Sequence, residues 1–368
     1  MDKKKSIDKK KLIYILCGVM GGIILLIAII FIVLGILNKK VSYENIEKRL
    51  KTATEKYLSI NEDLLPKEES SSVTIEVDTL ENGKYIKPIS KMVKEGISCS
   101  AKVIVTKNGN NYLYSPILNC GEDYKTEKFS TKLLSDNAIK ESGDGLYSDG
   151  ENYRFRGEYV NNYVSLDGKL WRVIEIDKDG YARIIYVDKE TEETYVWDDR
   201  YNIDVDNYYG INNYSISRIK ESLTNLEANN KLISTSVANL AYRPVCIGKR
   251  SSNNVALNNK EECSTVISDQ LFSLPYANDY VAASIDANCK TIQDESCENY
   301  NYLMAMPLAS YTMTGVKEKS QKVYFITSSG VAKIDAYNDK KIRVTAYISN
   351  NSLYNSGEGT KTNPYTLK

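Results

Sequence analysis

The chain has 368 residues, and its 48 basic side chains balance 48 acidic ones, so the formal net charge is zero. Without an excess of Lys and Arg, we expect no broad basic surface of the kind that nucleic-acid-binding proteins use. The sequence contains no histidine, which excludes Ser-His-Asp and Cys-His catalytic arrangements and removes the commonest zinc ligand. We therefore expect no nucleic-acid partner, no cofactor and no bound metal.

The N-terminal part is typical of a membrane anchor. Residues 1–11 carry six lysines against two aspartates, whereas residues 12–37 carry no charge. As a helix, these 26 apolar or uncharged residues extend about 39 Å, more than the roughly 30 Å hydrocarbon core of a bilayer. The run is also too long for the apolar region of a cleaved signal peptide.

We therefore predict a basic cytoplasmic tail at 1–11 and a single transmembrane helix at 12–37 in contact with membrane lipid. The remainder of the chain is then extracellular. Within the predicted helix, Gly18 and Gly22 have the small-xxx-small spacing at which two such helices can approach closely.

The segment after the anchor has the periodicity of an amphipathic helix. Apolar side chains recur at steps of three and four residues, at Tyr43, Ile46, Leu50, Ala53 and Tyr57. The stripe is buried either by the helix's own domain or by a second copy of the chain. Only two heptads are present, which favours packing within the domain.

Residues 38–141 are predicted to form a small domain that contains this helix. Runs of strand-forming residues at 73–77, 102–106 and 111–114 predict a strand and a hairpin, the latter with an Asn108-Gly109 turn. The apolar N-terminal helix, the sequences YLSINEDLLP and VTIEVDTLENGKYIKP, and the cysteine-framed hairpin together resemble the pilin-like stems of bacterial surface proteins. The resemblance implies a transmembrane helix that continues into a pilin-like helix and a small antiparallel sheet. The chain lacks the Gly-Phe-Thr-Leu-x-Glu processing site of type IV prepilins.

Glycine-rich turns near residue 142 separate a second domain, 142–368, for which we predict a mixed α+β fold. The motifs NNYVSLDGKLWRVIEIDKDG, RPVCIG and SGEGTKTNPYTL resemble a domain that recurs on anchored bacterial surface proteins. That domain is similar in layout to C-type-lectin-like and formylglycine-generating-enzyme-like folds, and the resemblance carries no function. The predicted elements are strands at 162–166, 170–176 and 181–187, a helix at 217–226, and strands at 323–326 and 342–348.

Six of the seven cysteines lie outside the apolar segment, an even number that favours disulfides in an oxidising compartment. Six cysteines allow fifteen connectivities, and the spacing favours local pairs. A thiolate metal site is disfavoured because the sequence has no Cys-x-x-Cys and no histidine. The predicted pairs are Cys99 with Cys120, Cys246 with Cys263, and Cys289 with Cys297.

Carboxylates are concentrated in one loop, as Asp198-Asp199 and as Asp204 and Asp206. A carboxylate-dependent hydrolase needs two acids across a cleft, whereas adjacent acids on a loop face apart. Because the acids of this loop are adjacent in sequence, we predict no enzymatic activity.

Calcium could also bind such a loop, but the sequence DVDNYYG does not have the spacing of an EF-hand.

The same loop offers binding candidates. Tyr208 and Tyr209 lie in a polar, Asn-rich stretch, where aromatic side chains supply contact area at low entropic cost. Trp197 and Asp199 complete the predicted site. The predicted function is that of a cell-surface protein that presents a non-enzymatic binding or adhesion domain to a glycan or an envelope protein. The alternatives are a subunit of a pilin-like envelope assembly, which self-associates through the Gly18 and Gly22 helix or the apolar stripe, and a carboxylate-dependent hydrolase.

Overall fold

The predicted tail at 1–11, the predicted transmembrane helix at 12–37 and the Gly18 and Gly22 contact lie outside the described part of the chain. Within the described part, no helix combines the length and the hydropathy that crossing a bilayer requires. The computed structural model describes residues 40–187, 193–254, 256–292, 297–304, 306, 309–327 and 330–368.

Strands and bridges account for 32% of the described residues, and helices for 20%. The prediction of a mixed α+β fold is therefore wrong, and the described part of the chain is mainly β. The reason is that only two of the helices in this part exceed ten residues, whereas the alternating segments pair into several sheets. The described α-helices are α1 Tyr43–Leu58, α2 Val77–Asn82, α3 Phe129–Asp136, α4 Arg218–Ala228 and α5 Ala277–Ala282.

The first sheet is antiparallel and has the order β1-β2-β3, with β1 Ser72–Glu76, β2 Ser100–Asn108 and β3 Asn111–Asn119. This confirms the predicted strand and hairpin. At the hairpin turn Gly109 has φ 57°, a left-handed conformation that glycine adopts without strain. Helix α1 packs on this sheet and buries Ile46 and Leu50 completely. We call the apolar cluster of α1, α2, β1–β3 and residues 86–93 the small core.

The apolar stripe of α1 is therefore covered by its own domain, the first of the two predicted arrangements. The helix does not continue from a preceding helix. Ser42, at its N-terminus, has extended backbone angles of −64° and 151°, and the Val41 amide donates to the Met92 carbonyl at 3.0 Å. An extended residue ends any helical path, so the expected continuous rod of anchor and pilin-like helix is corrected to a helix that begins at Tyr43.

The second sheet has seven strands in the order β10-β18-β8-β7-β5-β4, with β6 also paired to β7. It contains the predicted meander β6-β7-β8, which is confirmed, with Asp167 and Gly168 in left-handed conformations at the first turn. A four-stranded sheet, β12-β14-β15-β16, lies in the same region. The bounds are β4 Gly145–Ser148, β5 Tyr153–Arg156, β6 Tyr163–Leu166, β7 Lys169–Ile176, β8 Ala182–Tyr186, β9 Tyr195–Val196, β10 Leu240–Ala241, β11 Arg243–Cys246, β12 Lys249–Arg250, β13 Val266–Gln270, β14 Ser310–Val316, β15 Lys322–Thr327, β16 Gly330–Asp335, β17 Asp339–Lys340, β18 Thr345–Ile348, β19 Tyr354–Ser356 and β20 Thr366–Leu367.

One large apolar cluster, which we call the large core, fills the space between these sheets, α3 and α4. Both tryptophans of the chain, Trp171 and Trp197, are fully buried in it. Helix α4 confirms the predicted helix and is capped by Ser217, whose side chain accepts from the Lys220 amide. The change from the small to the large core falls between Tyr124 and Phe129, ahead of the boundary predicted at residue 142.

Polar side chains join the two cores. At the tip of the first hairpin, Asn108 Nδ2 donates to the carbonyls of Val237, Ala238 and Leu240. From the other side, Asn351 Nδ2 donates to Thr106 Oγ1 at 3.0 Å. These contacts fix the sheet of the small core against the large core.

The structure forms the predicted disulfides Cys99–Cys120, Cys246–Cys263 and Cys289–Cys297, which confirms the local pairing. Among the described residues, one group of three potential metal ligands lies close together, formed by Asp286, Cys289 and Cys297. Its two cysteines are bonded to each other, so they offer no thiolate to a metal.

Candidate functional site

The predicted binding residues lie in and around one loop, residues 200–210, between β9 and α4. Trp197 precedes it and is fully buried, with Nε1 donating to the Thr312 carbonyl at 3.2 Å and its ring 6.2 Å from that of Tyr214. This corrects the assignment of Trp197 as a binding residue, because a ring without exposed surface cannot touch a ligand. Its role is to anchor the start of the loop in the large core.

The adjacent carboxylates Asp198 and Asp199 point in opposite directions. Asp198 is fully buried and accepts from the Ile211 amide at 2.9 Å and from the Arg200 guanidinium. Asp199 is half-exposed and pairs with Arg218 of α4 at 3.0 Å. The two acids therefore do not face each other across a cleft, and the geometry that a two-carboxylate hydrolase requires is not present at this pair.

Hydrogen bonds close the loop on itself. The Asn202 amide donates to the Asn207 carbonyl at 2.8 Å, the Asn202 side chain donates to the Gly210 carbonyl at 2.7 Å, and the Gly210 amide donates to the Arg200 carbonyl at 3.0 Å. Gly210 has φ 80°, and a Cβ at this position would overlap the Asp198 carbonyl. The loop is thus a compact, internally bonded unit whose closure requires glycine at 210.

This unit exposes large side chains. Ile203 and Tyr208 are 82% and 68% exposed, and Tyr209 is 36% exposed. The Tyr208 ring meets the Tyr201 ring edge-on at 5.4 Å, and the Tyr209 ring stacks with Tyr337 at 5.1 Å. We call the exposed set Tyr201, Ile203, Tyr208, Tyr209 and Tyr337 the aromatic surface.

Three of its members, Tyr201, Ile203 and Tyr337, were not among the predicted binding residues. Tyr337 lies in the turn between β16 and β17, and Ala336 beside it accepts from the Trp197 amide at 3.0 Å, which brings the two segments together. Ile203 lies inside the loop itself. An aromatic residue in the polar turn AYNDK was the available signal for Tyr337, but its proximity to Tyr209 depends on the tertiary fold.

One carboxylate of the loop, that of Asp206, contacts the aromatic surface. Asp206, with φ 51°, accepts a hydrogen bond from the Tyr201 hydroxyl, and this bond raises the pKa of Tyr201. Neither Asp204 nor Asp206 belongs to a three-ligand group among the described residues. The loop therefore combines exposed rings with carboxylate and amide groups, an arrangement suited to contact with a polar ligand that also has apolar faces.

A second charged cluster lies inside the large core. Asp279 and Arg183 are 0% and 1% exposed at their side chains and pair at 2.7 Å, and Arg154 adds a bond to Asp279 at 3.0 Å. Burial by itself would raise the pKa of Asp279, but the two guanidinium groups outweigh it and lower the pKa. With Glu175 the cluster contains two acids and two arginines, so its charges cancel and it serves the packing of the core.

No protein-family model, curated protein or solved structure matches this chain.

Proposed function

We propose that this protein is a membrane-anchored surface protein that presents a non-enzymatic, glycan-binding domain outside the cell. The observation that carries the proposal is the aromatic surface, where exposed rings project from an internally bonded loop. Because that loop is closed by its own hydrogen bonds and anchored by Trp197, its rings lose little freedom when a ligand binds.

A glycan fits the chemistry of this surface. Sugar rings have apolar faces, which can lie on the tyrosine rings, and hydroxyl groups, which can bond to the amide of Asn207 and to the carboxylate of Asp204. Tyrosine also supplies rigid contact area with few rotatable bonds, which limits the entropic cost of binding. Next to this surface, Asp198 is buried against Arg200 and Asp199 pairs with Arg218, so these two acids do not form a facing pair, which supports binding over catalysis.

The anchored location rests on the uncharged run at 12–37 and on the disulfides. Three disulfides form among the described residues, and such bonds persist in oxidising compartments such as the cell exterior. The lysine-rich residues 1–11 favour a cytoplasmic N-terminus. Together these features support an extracellular position for residues 38–368.

The binding proposal is tested with the full chain in detergent on an array of peptidoglycan fragments, bacterial polysaccharides and host glycans. The variant Tyr208→Ala/Tyr209→Ala should lose at least about tenfold in apparent affinity, because two central rings are removed. Tyr300→Ala is the matched control, since Tyr300 has the same 68% exposure as Tyr208 but lies outside the aromatic surface. Binding that survives the double variant, or falls equally with Tyr300→Ala, would contradict the proposal.

The location is tested separately by protease treatment of intact cells. A protease added outside should remove the C-terminal domain, and a tag before Lys3 should stay protected. If the C-terminal domain is protected in intact cells and is cleaved only after lysis, the proposed topology is wrong. This outcome would not change the result of the glycan-binding test.

A further inference from the structure

One disulfide lies beside a carboxylate. Asp286, Cys289 and Cys297 place one carboxylate oxygen and two sulfur atoms within 4.8 Å of one another. We call these three residues the sulfur-carboxylate group. In the oxidised protein the two sulfurs are bonded to each other and offer no thiolate. If a dithiol reductant cuts that bond, both sulfurs become thiols beside the carboxylate, and the group then has the donor atoms of a metal site.

The Cys289–Cys297 bridge closes the shortest loop of the three disulfides. Its cysteines are 8 residues apart in sequence, against 17 and 21 for the other two pairs. On the chain-entropy model the stabilisation by a disulfide grows with the length of the loop that it closes, so cutting this bridge costs the fold least. Cys297 is partly exposed, which gives a dithiol access to the bridge.

The group is also held together by bonds that reduction does not cut. The carboxylate of Asp286 accepts from the Glu298 amide at 2.7 Å through Oδ2 and from the Asn288 amide at 3.0 Å through Oδ1. Ser284 Oγ donates to the Glu298 carbonyl at 3.2 Å. Cys289 is 7% exposed and belongs to an apolar cluster of its own. The two sulfurs and the carboxylate therefore stay near one another after the bridge opens.

The donor set suits a cation that binds thiolates. Each oxygen of Asp286 accepts one amide, which orients the carboxylate and leaves lone pairs for a metal. Asn299 Oδ1 lies 4.0 Å from Cys289 Sγ and offers a further oxygen. Zn²⁺ binds four ligands drawn from sulfur, nitrogen and oxygen, whereas Mg²⁺ and Ca²⁺ prefer oxygen alone. Two thiolates with oxygen ligands therefore favour Zn²⁺ over Mg²⁺ or Ca²⁺.

We propose that reduction of the Cys289–Cys297 bridge by a dithiol creates a binding site for a thiolate-binding divalent cation such as Zn²⁺. In the reduction the dithiol is oxidised to a cyclic disulfide, and its two hydrogens pass to the sulfurs of Cys289 and Cys297. The two thiols release their protons when the cation binds. The same loop is thus closed by a covalent bond in the oxidised protein and by a metal in the reduced protein. This site is separate from the aromatic surface and does not depend on glycan binding.

The test uses the full chain in detergent, with oxygen excluded. Both tryptophans lie in the large core, so their fluorescence reports whether the fold survives reduction. Dithiothreitol is raised only to the concentration at which this fluorescence still equals that of the oxidised protein, and gel filtration then removes the reductant. The protein is divided, Zn²⁺ is added to one half at one equivalent, and both halves receive a short pulse of iodoacetamide. Mass spectrometry of the peptides measures the labelling of each cysteine.

Zn²⁺ should slow the labelling of Cys289 and Cys297 at least about tenfold, because a metal-bound thiolate is a poor nucleophile. Cys246 and Cys263 are the internal control. They belong to no three-ligand group in the described part of the chain, so Zn²⁺ should change any labelling of them by less than about twofold.

A variant tests the carboxylate. Asp286→Asn keeps the shape of the side chain but removes its negative charge, and it should weaken Zn²⁺ binding to the reduced protein at least about tenfold, measured by competition with a chromophoric chelator. Glu298→Gln is the matched control, because Glu298 is exposed in the same region and its carboxylate is not part of the sulfur-carboxylate group. It should change the Kd for Zn²⁺ by less than about twofold.

The proposal would be overturned if the Cys289–Cys297 bridge opened only after the tryptophan fluorescence had changed, or if Zn²⁺ slowed the labelling of all four cysteines equally. Equal Zn²⁺ affinities of reduced Asp286→Asn and Glu298→Gln would also overturn it.

Discussion

The small core and the large core differ in the number of charged side chains that they bury. Among the described residues, the small core is apolar, and Glu47 is its one buried charged side chain. The large core encloses both acids and bases, most of them paired. A core of apolar side chains tolerates graded losses of packing, whereas a buried charge whose partner is removed is left uncompensated. In the described part of the chain, the buried charged residues outside the small core are Arg172, Arg183, Asp198, Arg250, Glu262, Asp279 and Arg343.

The two cores should therefore lose stability in different ways. Both tryptophans lie in the large core, so their fluorescence reports that core alone. Amide hydrogen exchange in β1–β3 reports the small core. With these two signals, the following substitutions can separate the cores.

The largest effect is expected from Asp279→Ala. It leaves the buried Arg183 and the partly exposed Arg154 without their shared carboxylate and should lower the free energy of unfolding by about 3–5 kcal/mol. Urea unfolding followed by tryptophan fluorescence measures the change. Asp339→Ala, at an exposed carboxylate of the same region, should change it by less than about 0.5 kcal/mol. Equal effects of the two variants would mean that the buried cluster does not stabilise the core.

Leu50→Ala is the corresponding change in the small core. It removes a fully buried side chain that packs on β2 and β3, and it should cost about 2–4 kcal/mol through lost burial and a cavity. Amide exchange in β1–β3 should accelerate strongly, whereas the tryptophan transition should shift less. If both signals shift together, the two cores unfold as one cooperative unit and do not respond separately to substitution.

Gly109→Ala tests the contact between the cores. Alanine at φ 57° is strained, and its Cβ would lie 2.9 Å from the ring of Tyr242, so we expect a loss of about 2 kcal/mol. Gly121→Ala is matched, because Gly121 has φ 68° but no atom within 4 Å of the added Cβ. The difference between the two variants in the free energy of unfolding, measured with urea, gives the cost of the contact with Tyr242. Equal losses would mean that the hairpin tip shifts away from Tyr242 without cost.

The smallest effect concerns Asp167 and pH. Burial by itself would raise the pKa of Asp167, but hydrogen bonds from Thr235, Ser236 and Ser234 outweigh it and lower the pKa well below its usual range. A carboxyl whose pKa is depressed by folding stabilises the protein fully above its unfolded value, near pH 4, and loses this contribution as the pH falls below that value. Asp167→Asn should therefore cost about 1 kcal/mol at pH 7 and less at pH 3. Thermal melting at the two pH values checks this, and a pH-independent loss would exclude the carboxylate as its source.

Local signals in the sequence predicted the hairpins and the disulfides well. Asn108-Gly109 and Asp167-Gly168 are turn dipeptides flanked by alternating residues, and the bonded cysteines are close in sequence. The fold class was wrong because the apolar stripe of α1 was extended backward through Ser42 and because α1 and α4 were weighed equally with the alternating segments, which pair into several sheets.

The candidate site was predictable only in part. Tyr208 and Tyr209 stand in a polar loop and are exposed, as the sequence indicates. Trp197 stands in an equally polar context, but its burial depends on contacts with Thr312 and Ala336, which are remote in sequence. The cleft of about 560 Å³ between the two cores could not be foreseen, because its walls come from residues 44–51, 112–116, 235–239 and 353–368.

The docked tip of the first hairpin also determines how the protein responds to tension. If residue 40 is pulled away from the large core, the force reaches the contacts of Asn108 and Asn351, which cross the junction side by side. Contacts arranged in parallel share a force and resist it together, whereas contacts in series open one after another. The contact between the two cores should therefore hold up to a threshold force and then open in a single step.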